Sequence, residues 1–380
     1  MDQAVGAWCG VDGLAFRLSD PERHLAGVRL VPQIALPSDR LDFAYDEGDR
    51  AWRLSVPRTA AWRMEYLLEW RHADGRVERA CDPDNPRRVG GAFGDKSVVE
   101  CPEYAAPAWL ELPAVDGEWR ELTMSAPSLA ADIAARIWSP ATPTDRVVIV
   151  HDGPEYDTFA SLGRYTAATI GAGRVAPHHL VLLDPGDRND WYSANPRYAR
   201  ALADVVLPRL RAECGARRVV GVGTSLGGLA MLHAQRRHPR AFAALFLQSA
   251  SFFRPYLDSQ ESGFPHYQRI VRFTDEVVKG GTGIWAGARN WAGPPWLGRG
   301  ARPDGPSQPW RRGRAAVPTV LTCGLVEENL ANNREMAAAL RAQGYPVELF
   351  EVPDAHNFTG WRDALDPYLT DLLRRTWPAI

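Results

Sequence analysis

The chain has 380 residues, of which 45% are hydrophobic and 24% charged, with a formal net charge of −2. That length allows about two domains at roughly 150 residues each and a large core without metal or disulfide staples. The near-neutral balance argues against nucleic acid as a partner, because phosphate recognition needs a basic face. No run of about 18 apolar residues exists to span a membrane. Met1–Trp8 has no basic stretch leading into an apolar one, so no secretory leader is expected. The cysteines (Cys9, Cys81, Cys101, Cys214, Cys323) are scattered without C-x-x-C, which reads as neither a disulfide framework nor a zinc site and suits a reducing compartment. The expectation is a cytoplasmic protein.

Residues 1–115 are expected to form strands. Gly27–Ile34, Ala51–Val56 and Arg63–Trp70 are β-branched, aromatic or alternating, and between them lie turn-rich clusters such as Asp46–Asp49 and Asp82–Pro86. Short strands with turn chemistry between them predict a small antiparallel β-sandwich, Ig-like in character. A boundary is expected between Ala106 and Glu121. Over residues 120–380 the pattern changes to apolar runs at Arg146–His151, His179–Leu183, Arg217–Val222, Ala243–Gln248, Val317–Thr322 and Val347–Val352. Helix-period stretches lie among them, at Tyr198–Cys214, Leu226–His238 and Asn332–Gln343. Val- and Leu-rich strands alternating with helices predict an α/β domain with a mostly parallel sheet.

Gly280–Arg314 fits neither pattern, with nine Gly, five Pro, six Arg and four Trp in 35 residues. Long irregular segments in compact domains are often functional covers, and disordered ones are poor in aromatics. Trp285, Trp291, Trp296 and Trp310 therefore point to an ordered lid.

The strongest chemical signal is Gly223-Thr224-Ser225-Leu226-Gly227, a G-x-S-x-G between a predicted strand and a predicted helix. In that setting the motif is a nucleophile elbow that exposes a serine hydroxyl above the sheet. The hydroxyl needs a base, and the base needs an orienting acid. On this fold the order along the chain is serine, acid, histidine. His151 precedes Ser225, His178 and His179 lie at a strand entry, and His233 and His238 ride the following helix, sideways or outward. His356, in the loop after Val347–Val352, is the candidate base. Glu327, in the loop after Val317–Thr322, is the first choice of acid and Glu328 the second; Asp354 reads as a turn residue. The N–H of Leu226, next to the nucleophile, is one expected oxyanion donor.

Four stretches carry a more specific signal: GVGTSLGGLAML, FLQSASFF (Phe246–Phe253), CGLVEENL and VPDAHNFTGWRDAL. With DPDNP (Asp82–Pro86) and Ser97–Leu110 they make nearly the whole chain resemble the enterochelin (ferric enterobactin) esterases, a family of α/β hydrolases preceded by a β-sandwich domain. The resemblance implies Glu327 as the acid. It also implies a second oxyanion donor after the Asp-Gly of His151-Asp152-Gly153-Pro154. The residue there is proline, which has no N–H, so the second donor is expected to be the N–H of Gly153 or Glu155, or a side chain, with Gly153 the first choice. By the same resemblance Asp184–Trp191 lines the substrate site, with an Arg188–Asp190 pair, Trp191 and Asn195. The activity implied is a serine esterase with no metal or cofactor, acting on a small-molecule ester, a ferric catecholate siderophore of enterobactin type. The rival readings are a carboxylesterase or acyltransferase on acylated sugars or lipids, and an inactive binding protein on the same fold.

Overall fold

A computed structural model of the chain describes residues 6–281 and 316–378. From residue 282 onward the expected lid, with Trp285, Trp291, Trp296 and Trp310, lies outside the described residues.

Nine strands form the amino-terminal part: β1 (Gly6–Cys9), β2 (Gly13–Ser19), β3 (Leu25–Pro32), β4 (Ala44–Asp46), β5 (Ala51–Pro57), β6 (Arg63–His72), β7 (Val77–Ala80), β8 (Arg88–Val89) and β9 (Lys96–Glu100). They make two antiparallel sheets, one in the order β1-β2-β5-β4 and one in the order β3-β6-β9-β8, with β7 added to β6. Alternation along the strands sends every second side chain inward. Leu14, Phe16 and Leu18 from one sheet meet Leu30, Tyr66 and Leu68 from the other in a single core.

One expectation fails here. Cys9, at the end of β1, and Cys101, just after β9, form a disulfide across 92 residues of sequence. Sequence spacing could not foresee it, because only the packing of the two sheets brings these cysteines together. Disulfides persist in oxidising surroundings, so cysteine usage no longer argues for a reducing compartment.

The second part is built on one mixed sheet. Its strands are β10 (Gly117–Ala126), β11 (Ala131–Pro140), β12 (Arg146–Val150), β13 (His179–Leu183), β14 (Arg218–Thr224), β15 (Ala244–Gln248), β16 (Thr319–Gly324) and β17 (Val347–Val352). The order is β10-β11-β13-β12-β14-β15-β16-β17, with β10 and β11 antiparallel at one edge and the others parallel. Strands β12–β16 are buried nearly throughout and covered on both faces, as parallel strands inside a sheet must be, while β17 at the edge is only partly buried.

Helices connect the strands: α1 (Gly153–Ala160), α2 (Leu162–Gly171), α3 (Arg188–Tyr192), α4 (Pro196–Ala201), α5 (Leu207–Cys214), α6 (Leu226–Arg237), α7 (Tyr267–Gly281), α8 (Leu330–Ala342), α9 (Phe358–Asp363) and α10 (Thr370–Thr376). A π-helical turn at Leu202–Val206 divides the expected helix Tyr198–Cys214 into α4 and α5. None of the described helices is long and apolar enough to cross a membrane. This is an α/β-hydrolase fold preceded by a separate domain of antiparallel sheets.

Candidate active site

Ser225 sits between β14 and α6 with φ 53° and ψ −124°, a conformation that costs roughly 1–3 kcal/mol and needs its surroundings to hold it. The close packing that does so requires glycine at 223, where a Cβ would lie 2.4 Å from the backbone of Gly227. The Ser225 N–H donates to Gln248 O at 2.9 Å, and its carbonyl accepts from the N–H of Ser251 at 3.0 Å. In this conformation its hydroxyl is hydrogen-bonded to Ser251 Oγ, 3.1 Å away.

Glu327, not Glu328, reaches the imidazole. Its Oε2 receives His356 Nδ1 at 2.9 Å, while Oε1 accepts from Ser249 Oγ and the Gly324 N–H, each at 2.7 Å. The Glu327 side chain is only 1% exposed, whereas His356 is 37% exposed and open to the cavity. Glu328 points to Gln260 Nε2, at 3.0 Å. The imidazole rests edge-on against Trp361, with 4.9 Å between ring centres. Trp361 Nε1 in turn donates to Ser249 Oγ at 3.0 Å. A run of hydrogen bonds, Trp361–Ser249–Glu327–His356, thus fixes the ring through Nδ1 and leaves Nε2 free to take a proton.

Ser225, Leu226, Glu327 and His356 line one cavity of about 530 Å3, with Pro32–Ala35 from the end of β3 and the loop that follows, Arg188, Ser251, Phe253, Glu261 and Phe264. It lies at the carboxyl ends of the strands, where ligands bind in open α/β sheets. A larger cavity of about 860 Å3, lined by Arg146, Val175, Phe350 and Trp377, opens at the opposite end and is lined by no serine, threonine or cysteine. Burial pushes the Glu261 carboxyl upward, and neighbouring Glu328 adds to this.

Leu226 and Gly153 each begin a helix, α6 and α1, so their N–H groups have no partner within those helices. The loop before α1 is tied down on both sides. His151 is fully buried, its Nδ1 is 2.8 Å from Gly227 O, and its ring stacks on Tyr192. Burial lowers its pKa to about 4, which keeps it neutral.

Of the four residues expected to line the substrate site, only Arg188 reaches the cavity that holds Ser225. The Arg188–Asp190 pair is not formed. Arg188 instead makes two bonds to Asp152, at 2.7 and 2.9 Å. Burial works against the Arg188 cation, but the bonds to Asp152 outweigh it and hold its pKa above the ordinary value. Asp190 faces away, toward Arg269 at 2.8 Å and Asn195 Nδ2 at 2.7 Å. Trp191 is buried in a stack with Tyr198, and Asn195 caps α4. Each residue of the short helix α3 turns the side chain by about 100°, so Asp190 points about 200° away from Arg188, and Asn195 lies beyond α3 altogether.

Sequence reasoning passed over Ser249, Ser251, Asp152 and the Pro32–Ala35 loop. The two serines lie in the FLQSASFF stretch, whose hydroxyls next to a strand end were a usable signal. The loop gave none, because it comes from the other domain.

A model of the Putative esterase family matches residues 128–372. The chain belongs to that family. Among curated proteins it is similar to the iron(III) enterobactin esterase of Escherichia coli (strain K12), 25% identical over 247 residues. That alignment takes in 60% of this chain and 56% of the relative, little more than half of the relative's length. Among solved structures, the enterobactin esterase of Shigella flexneri, determined in the presence of enterobactin, has a TM-score of 0.69 at 18% identity, covering 96% of this chain and 93% of that one. The ferric enterobactin esterase of Salmonella typhimurium has a TM-score of 0.70 at 20% identity, covering 98% and 96%. At such identities the structural likeness shows the two-part fold that this member of the esterase family shares with them.

Proposed function

We propose that this esterase-family chain is a serine carboxylic ester hydrolase that cleaves the ester bonds of an iron-loaded catecholate siderophore of enterobactin type. The observation that carries the catalytic part is the hydrogen-bonded Ser249–Glu327–His356 run opening on the same cavity as the strained Ser225. The substrate part rests on kinship with the enterobactin esterases.

Rotation of the Ser225 hydroxyl away from Ser251 turns it toward His356. Oγ then attacks the ester carbonyl while the imidazole takes its proton. Glu327, held by Ser249 and Gly324, stabilises the resulting imidazolium. The N–H of Leu226, with Gly153 as second donor, faces the charge that develops on the carbonyl oxygen. Collapse breaks the ester C–O bond, and the alcohol leaves with the proton from His356. A water, deprotonated by the same histidine, then attacks the acyl-serine; the acid is released and the serine regains its proton.

The test is labelling with a fluorophosphonate, followed by turnover of iron-loaded and iron-free cyclic triserine catecholates beside short acyl esters. Labelling and turnover lost together in Ser225→Ala, with the catecholates preferred, is the expected outcome. Turnover retained in Ser225→Ala would defeat the mechanism. A preference for the short esters would defeat the siderophore reading while leaving the serine mechanism in place.

A further inference from the structure

The turn that carries His356 is held from outside its own domain. Asp354, two residues earlier, is buried. Its Oδ1 accepts from the N–H of Ala355 at 2.8 Å and from Asn357 Nδ2 at 2.9 Å, which closes the turn. Its Oδ2 receives Arg63 Nη1 at 3.1 Å, from a residue 291 positions away on β6. The Arg63 side chain is 1% exposed. It lies within 3.7 Å of Glu65 and 3.9 Å of Glu100, and its guanidinium covers the Tyr104 ring at 5.2 Å. Burial alone would lower its pKa, but Asp354 and Glu65 more than reverse that, and Arg63 stays charged.

Other contacts act at the same place. The Trp62 N–H donates to Pro353 O at 2.8 Å. Ala355 is buried in the core of the amino-terminal domain, and Val326, next to Glu327, packs against that core too. Both the histidine turn and the acid loop are therefore seated on the same foreign surface.

We infer that the amino-terminal domain is part of the catalytic apparatus, and that Arg63, through its ion pair with Asp354, is a positioning residue for His356. The inference rests on the Ser225–His356–Glu327 reading. An ion pair across a domain boundary fixes the turn in direction as well as in place. The imidazole must meet both Glu327 and the serine, and a misplacement of about 1 Å at such a site can cost roughly 10²-fold in rate.

The experiment compares Arg63→Met, Arg63→Lys and the double variant Arg63→Met/Asp354→Asn with the native chain. It measures kcat per fluorophosphonate-titrated serine, KM on a short acyl ester, and melting temperature. Arg63→Met is expected to lower kcat by roughly tenfold or more with KM within about twofold, and Arg63→Lys to recover part of the loss. If Arg63→Met fails to fold, the double variant, which leaves no unpaired charge, decides the matter and should show the same low kcat. A folded Arg63→Met or double variant with kcat within about twofold of native, or a loss confined to KM, overturns the positioning role. Turnover that survives in Ser225→Ala would instead overturn the catalytic reading beneath it.

Discussion

Replacing Glu327 by glutamine changes two atoms' chemistry and almost no volume, so its effect can be worked out from the hydrogen bonds. All three partners of the carboxylate act as donors: His356 Nδ1 to Oε2, and Ser249 Oγ and the Gly324 N–H to Oε1. An amide offers only one accepting atom. If its oxygen keeps Ser249 and Gly324, its NH2 faces Nδ1, and the imidazole must move its proton to Nε2, where it can no longer act as base. If the oxygen turns to His356, the NH2 meets the Gly324 N–H and a serine hydroxyl already accepting from Trp361. Each unmatched buried donor costs about 1–3 kcal/mol, so the first arrangement wins and the working tautomer falls below roughly one molecule in ten. Loss of the negative charge beside the imidazolium adds to this. The expected fall in kcat is about 10³–10⁴-fold, equivalent to roughly 4–5.5 kcal/mol of barrier. KM and melting temperature should change little, because the side chain keeps its shape. Steady-state kinetics on an acyl ester, with circular dichroism to confirm folding, measures all of this. A Glu327→Gln enzyme that keeps more than about a tenth of native kcat refutes the reasoning, as would an equal loss in the exposed Glu328→Gln.

Gly324→Ala should be damaging although no functional atom is removed. Its Cβ would lie 2.2 Å from Asp354 O and 2.7 Å from Glu327 Oε1, forcing the acid loop and the histidine turn apart. Overpacking of this kind costs about 1–3 kcal/mol, so a lower melting temperature together with a kcat loss well beyond the folded fraction is expected; native kinetics would contradict it. Stability should also decline in acid. Burial lowers the pKa of His151 and His178 to about 4 and that of His233 to about 3, against about 6.5 in an unfolded chain. Between those values only the unfolded chain takes up protons, so stability is full above about pH 6.5 and is lost as pH falls toward 4, by ~1.4 kcal/mol per proton and pH unit. Chemical denaturation at pH 7 and pH 5 checks this, and an unchanged midpoint would count against it.

The parallel strands were legible because most are short, nearly continuous apolar runs; His179–Leu183, and Val347–Val352 with its two glutamates, are found at the expected bounds. The β10–β11 hairpin was passed over although Leu122, Met124 and Ala126 alternate toward the core with Ile133, Ala135 and Ile137. Most of its outward positions, among them Glu121, Thr123, Ser125, Asp132 and Arg136, are charged or polar and diluted the apolar signal. The helix α7 was overlooked as well, despite the buried spacing of Ile270, Phe273 and Val277. Ser225, Glu327 and His356, which line one cavity, could be picked out as candidates because strand ends and turn chemistry are local features. Arg188 found Asp152 instead of Asp190 because side-chain direction on a one-turn helix depends on the packing around it. Arg63 and Asp354, like Cys9 and Cys101, meet only through the tertiary fold, and their sequence separation leaves no trace in any local pattern. The sequence places His233 sideways or outward on its helix, whereas it is buried edge-on to Phe273.

The seating of Ala355 and Asp354 against the amino-terminal domain also bears on biosynthesis. Domains generally fold as units as the chain emerges, the amino-terminal one first. The surface that receives the histidine turn would then be waiting before β17 is made. Ser225 emerges with its elbow, but the histidine proposed as its base follows only after β17 and is aligned only on docking. A nascent or truncated chain would thus carry an exposed serine without the means to activate it. The order of synthesis would itself protect the growing chain from premature acylation.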